Sequence, residues 1–316
     1  MKNKEVRLST NKFIVVTGLT RSGKTALTPL ISSMKNCEQF FFNTVVENLF
    51  IYNYLKLIDD KTSKSLITRA LNEEVFDKIY GRNLNTKKND LTNLKKYKGE
   101  VNYKKRITMN KSNLFEKKVL KKNYFPILFH EGLTNLRLLE NVFDKIKMIN
   151  ISRHPVDIVN SWMKKDYIDK YFETPKSNVV TINYKNKILP FFLKGAEKKL
   201  KLCKSNEDKI VLMQSNLKNL FEKNYKSSKK KDNIILVKFD DLLLETKKIL
   251  KKISKKFNLK LSKKINQALR EQNFPRKIDY SNRLKIKKKI FKKLSPKFRN
   301  IFIKMIYQYE NGSKVF

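Results

Sequence analysis

"GLTRSGKTAL", residues 18–27, follows directly on the apolar run Phe13, Ile14, Val15, Val16. Such a run, closed by Thr17, reads as a buried strand, and the residues after Gly23 read as the first turn of a helix. Backbone N–H groups at a helix N-terminus gather around an anion, aided by the helix dipole, and Lys24 adds a full positive charge. Gly18 and Gly23 free the backbone to curl between strand and helix. The spacing Gly18, Gly23, Lys24, Thr25 fits the nucleotide-loop pattern G-x-x-x-x-G-K-[ST], so the stretch reads as a phosphate cradle.

Other short runs of branched and aromatic residues extend the pattern: Pro126 to His130, Met148 to Ser152 and Ile234 to Phe239, with Phe40 to Thr44 as a fifth strand. Between them lie helical periodicities, Ile67, Leu71, Val75, Ile79 and Leu242, Ile249, Ile253, Phe257. Strands alternating with helices predict a three-layer α/β/α architecture around a central parallel sheet of the P-loop nucleotide-binding type. Ligands of such sheets bind beyond the carboxyl ends of the strands, where the glycine loop lies.

The 316 residues, 40% hydrophobic and 11% aromatic, supply a sizeable core. The formal charge of +43 is extreme. Lys provides most of it, scattered along the whole chain beside abundant Asn and Ile, which reads as a solvated surface and not as a specific nucleic-acid site. The same field draws in acidic ligands and is compatible with contact at a membrane surface. Cys37 and Cys203 form no metal-ligand spacing and no disulfide framework, which fits a reducing cytoplasm. Residues 1–12 are polar, and no run approaches the ~18 apolar residues of a membrane span. The chain reads as one domain over 1–316, with 59–124 as a polar, partly helical insertion placed to shape a substrate pocket.

A second motif, "NISRHPVDIVNSW", residues 150–162, begins at the end of a strand. Pro155 suits the first helical turn, Asp157 suits its dipole, and Ser161 follows at helical spacing. Arg153 and Ser161 are thereby set to converge on one anion. Together the two motifs resemble the sulfotransferase family, in which a loop of the type [RK]-S-G-[TS]-T holds the 5'-phosphosulfate of 3'-phosphoadenosine 5'-phosphosulfate and an R-x-P-x-D-x-x-x-S stretch holds its 3'-phosphate. Arg21, Ser22, Gly23 and Thr25 match the first; Arg153, Pro155, Asp157 and Ser161 match the second. Residues 235–259, "ILVKFDDLLLETKKILKKISKKFNL", are similar to the family's strand and helix written Y-E-D-L. Three departures bear on donor contacts: Lys24 stands where the family has Thr, Ala26 where an aromatic often stacks on adenine, and Phe239 where a Tyr often touches it.

The resemblance implies sulfuryl transfer from that donor to a hydroxyl or amine of a carbohydrate, lipid or small-molecule acceptor, with no metal. Such a transfer requires positive charge on the departing phosphate, available from Arg21, Lys24 and the loop amides, and a group to take the acceptor's proton. "FPILFHEGL" brings His130 and Glu131 to the cradle's edge of the sheet; either can serve as that base, His130 because it titrates near neutrality. In "NFPRKIDYSNR", Arg276 and Lys277 are the candidates for a late basic segment over the 3'-phosphate, with Arg283 nearby. Two other readings stand beside this one. A P-loop kinase or NTPase would use Lys24 with magnesium at Asp240 or Asp241 after "NIILVKF", and a non-catalytic binder of polyanions would use the Lys surface.

Overall fold

The computed structural model describes residues 6–88, 90–94, 99–108, 112–173 and 179–312. At its centre β1 (Phe13–Thr17), β2 (Phe125–Leu128), β3 (Met148–Ser152) and a strand over Ile234–Lys238 form a four-stranded, all-parallel sheet. A separate antiparallel pair joins β4 (Thr181–Tyr184) to β5 (Lys187–Pro190), which makes the strand Ile234–Lys238 β6 and the order of the main sheet β2-β1-β3-β6. Val15 pairs with Met148, and Ile149 with Ile235, so the centres of the three strands align.

Alternation along β1 builds the layers. Phe13 and Val15 enter one apolar cluster, with Val46, Phe50, Ile67, Leu71, Trp162 and Phe302; Ile14 and Val16 enter the other, with Leu27, Leu30, Leu250 and Ile253. A strand buried on both faces needs an unbroken apolar run, which is what a parallel sheet between two helical layers requires. The predicted three-layer α/β/α fold is therefore present. The stripe Ile67, Leu71, Val75, Ile79 is the buried face of the helix Asp60–Tyr80.

Three boundaries differ from the sequence reading. The proposed fifth strand, Phe40 to Thr44, makes only an isolated bridge, Phe41 to Ile127. Asn43 ends it by accepting the Val46 N–H at 3.0 Å and capping the helix Thr44–Tyr54. β2 stops at Leu128 and β6 at Lys238, so His130 and Phe239 lie just past strand ends. The β4–β5 pair is an addition to the expected elements: Lys185 and Asn186, both with positive φ, form the two-residue turn that joins it.

Candidate active site

The loop after β1 curls as its glycines require. Gly18 has φ of 149°, and a Cβ there would lie 2.1 Å from the Ile151 carbonyl oxygen. Gly23 has φ of 107°, and its Cβ would meet Phe239 Cδ2 at 2.3 Å. Arg21, at φ of 72°, occupies the left-handed region that costs a side-chain residue energy, and such strain is retained where the surroundings fix it. Here Arg21 Nε donates to Ser161 Oγ at 2.9 Å. Arg153 Nη1 in turn donates to the Arg21 carbonyl at 3.2 Å, and Trp162 Nε1 donates to the Thr20 carbonyl at 3.0 Å. Two motifs 140 residues apart thus close on each other at the carboxyl edge of the sheet.

A cleft of about 290 Å³ opens beside them, lined by Arg153, Asp157, Ser161, Phe239, Lys277 and Arg283 among others. One buried polar atom of the cradle, Ser22 Oγ, and one of the cleft, Arg153 Nε, have no hydrogen-bond partner. Burial normally demands a partner for such atoms, so both are suited to a ligand that supplies what the chain does not. Of the remaining candidates, Arg276 is exposed, its guanidinium 6.0 Å from the Phe239 ring centre, with Arg153 over that ring at 5.1 Å. Thr25 is exposed on the first helical turn, whereas Ala26 packs against the second apolar cluster.

Lys24 does not project from the cradle. Its Nζ donates back to the carbonyls of Gly18 and Leu19 at 2.8 and 2.7 Å. Burial lowers its pKa to about 8, although Glu131 and Glu47 nearby oppose the shift. Lys24 therefore fastens the loop. Asp240, one of the two magnesium candidates of the kinase reading, is occupied by Arg283, whose Nη1 and Nη2 reach its two oxygens at 2.8 and 3.1 Å, whereas Asp241 is exposed.

Thr20 of the loop also lines a cavity of about 300 Å³, together with Glu47, His130, Glu131, Tyr167 and Phe192 among others. Among the described residues its walls come from Phe42 to Ile51 and from Tyr167, Lys170, Tyr171, Val179, Val180, Phe191 and Phe192; the segment 59–124 lines a different pocket, where Glu74, Asp77, Lys78 and Tyr103 face Phe41 and Phe42. Glu47 is the member that sequence reasoning misses. One of its oxygens accepts from the backbone N–H groups of His130 and Glu131, and the other lies 3.0 Å from His130 Nδ1. Burial alone would lower the His130 pKa, but the hydrogen bond and charge of Glu47 outweigh it and raise the value above 6.5. Glu47 shifts the opposite way: burial opposes its charge, and the contacts with His130 and the two N–H groups hold it below the ordinary carboxylate value. Glu131 accepts from Thr20 Oγ1 at 2.6 Å. Burial first, and then the charge of Glu47, raise its pKa. Thr20 thus ties the cradle to the candidate bases.

The family model described as the sulfotransferase domain matches residues 11–309. The chain belongs to the sulfotransferase family. Its fold accordingly carries an enzyme of sulfuryl transfer. No curated protein matches it in sequence. Similar solved structures are the sulfotransferase domain of the curacin biosynthetic pathway (12% identity, 83% of this chain and 78% of that one, TM-score 0.45) and that of the olefin synthase of Synechococcus PCC 7002 (11%, 99% and 91%, 0.45). A sulfotransferase from Alicyclobacillus acidocaldarius is 8% identical, with 94% of each chain covered and a TM-score of 0.41.

Proposed function

We propose that this sulfotransferase moves a sulfuryl group from 3'-phosphoadenosine 5'-phosphosulfate to a hydroxyl or amine of a carbohydrate, lipid or small-molecule acceptor. The observation that carries the reading is the closure of the two motifs: Arg21 on Ser161 and Arg153 on the Arg21 carbonyl. It brings two guanidinium groups to one edge of the sheet, and a doubly anionic adenosine needs a cation at each end. The donor fits the chain's own chemistry, because Ser22 Oγ and Arg153 Nε are buried and unpartnered in the cradle and the cleft.

In this reading Ser22 and the loop N–H groups hold the 5' end, with Arg21 adding charge. Arg153, Ser161 and Lys277 hold the 3'-phosphate, with Phe239 and Arg276 beside the adenosine. Lys24 acts by holding the loop's shape. The acceptor oxygen or nitrogen attacks sulfur, the bond from sulfur to the 5'-phosphate oxygen breaks, and that oxygen leaves with the electron pair. His130 takes the acceptor's proton. With Glu47 ionised against Nδ1, that nitrogen carries the ring N–H and Nε2 presents the free lone pair. Glu131, raised in pKa and bonded to Thr20, is the second candidate for the same proton.

Calorimetric titration with adenosine 3',5'-bisphosphate, AMP and ATP with magnesium tests the donor assignment. The bisphosphate is expected to bind most tightly, and Arg153→Ala is expected to erase its advantage over AMP. Equal binding of bisphosphate and AMP by the wild type would refute the 3'-phosphate assignment. For the base, His130→Ala is expected to keep bisphosphate affinity and lose turnover; unaltered turnover would pass the role to Glu131.

A further inference from the structure

Arg153 has a competitor for any phosphate in the cleft. Asp157 stands four residues along the same helix start, its Oδ2 3.8 Å from Arg153 Nε. That separation is too long for a hydrogen bond, and Nε is left buried without a partner. A carboxylate so close to a guanidinium ordinarily closes to ~2.8 Å and takes the charge for itself. A second guanidinium prevents it here. Arg283, from the helix Tyr280–Lys293, presents Nη2 to Asp157 Oδ2 at 2.7 Å and Nε to Asp157 Oδ1 at 3.3 Å. Its other edge holds Asp240 through Nη1 at 2.8 Å and Nη2 at 3.1 Å. One planar fork thus occupies both oxygens of both carboxylates, a geometry that a Lys ammonium cannot reproduce.

We infer that Arg283 is a positioning residue: by occupying Asp157 and Asp240 it leaves the Arg153 guanidinium free for the 3'-phosphate. The inference rests on the donor reading above. Arg153 and Arg283 carry two positive charges, Asp157 and Asp240 two negative ones, so the quartet is neutral with Arg283 in place. Removing Arg283 leaves one cation between two partly buried carboxylates. Asp157, the nearer, then captures Arg153, and the 3'-phosphate meets a neutralised guanidinium beside an unpaired carboxylate. The 5' end is changed less, because the N–H groups of the loop after β1 lie outside this quartet and meet it only through the Arg153 Nη1 bond to the Arg21 carbonyl. Arg283 therefore governs discrimination between nucleotides with and without a 3'-phosphate, and not nucleotide binding as such.

The test is calorimetry of adenosine 3',5'-bisphosphate and AMP on the full-length chain carrying Arg283→Met, Arg283→Lys, and Arg283→Met combined with Asp157→Asn. Arg283→Met is expected to weaken the bisphosphate by about tenfold or more and AMP by less than about threefold, as befits the removal of one charge-assisted hydrogen bond at one end of the ligand. Arg283→Lys, which keeps the charge and spares the fold if the Met variant does not express, is expected to fall between. The added Asp157→Asn removes the competitor and is expected to recover most of the bisphosphate affinity, which a merely structural defect would not do. Equal weakening of both nucleotides, or no recovery in the double variant, overturns the inference while leaving the donor reading intact. A wild type that binds bisphosphate no better than AMP removes the donor reading itself, and the inference with it.

Discussion

Glu47 shows how one side chain sets the protonation of a site. Its charge raises His130 and is itself held ionised by His130 and two backbone N–H groups. If His130 is the base, activity requires its neutral form, so kcat/KM should rise with pH through a value above 6.5. Glu47→Gln removes the charge that favours the protonated ring, so the rising limb should move to lower pH and the maximum should fall; a limb that stays in place would break the link. The same pair predicts a stability profile. A raised His130 contributes stability that is full below 6.5 and is lost as pH climbs through its folded pKa. A depressed Glu47 contributes stability that is full above 4.5 and is lost as pH falls through its folded pKa. The difference in Tm between wild type and Glu47→Gln should therefore be largest between pH 4.5 and 6.5 and shrink on either side. Gly23 makes the complementary case for shape. A methyl group there would strike the Phe239 ring at 2.3 Å, so Gly23→Ala should push Phe239 out of the cleft and weaken bisphosphate binding, as calorimetry would show.

At the scale of elements, the C-terminal helix Pro296–Glu310 braces the second motif although it lies far from it in sequence. Phe298 and Phe302 are buried in the larger apolar cluster, Glu310 lies 3.1 Å from His154 Nε2, and Lys238 at the end of β6 donates to the Tyr309 carbonyl. His154, the residue between Arg153 and Pro155, is the N-cap of the helix bearing Asp157 and Ser161. Phe302→Ala should cost about 3–5 kcal/mol in urea unfolding. It should also loosen bisphosphate binding, since the brace and the motif share one core. Elements of this kind mark the boundary of what the sequence discloses. The four strands of the main sheet, the cradle and the second motif are local patterns, apolar runs and glycine spacings, and each is legible. Glu47 is not, because an acid in the first turn of a helix behind an Asn cap reads as dipole compensation. The cavity wall formed by Tyr167, Tyr171 and Phe192 is not, because Tyr171 meets Phe192 edge to face, and both line one cavity with Thr20 and Glu47, only in the folded chain. Arg283 is visible as a basic residue in a Lys-rich helix, but its two carboxylate partners lie 126 and 43 residues away.

At the scale of the whole molecule, the +43 charge and the nucleotide site make opposite demands on salt. Surface Lys residues such as those of Thr246–Phe257 lie on the outer face of an amphipathic helix whose buried stripe is Leu250, Ile253 and Phe257. Charges so disposed attract any polyanion by releasing its counterions, a term that collapses as ionic strength rises. The Arg153 cleft differs, because Arg153 and Arg283 are partly buried beside Asp157 and Asp240, and partly buried charges are screened far less. Duplex DNA measured by fluorescence anisotropy should therefore bind at low salt, lose most of its affinity by ~200 mM NaCl, and respond equally in wild type and Arg153→Ala. Adenosine 3',5'-bisphosphate should retain most of its affinity over the same range and lose its advantage over AMP only in the variant. DNA binding that resisted salt and depended on Arg153 would instead join the surface and the cleft into a single polyanion site.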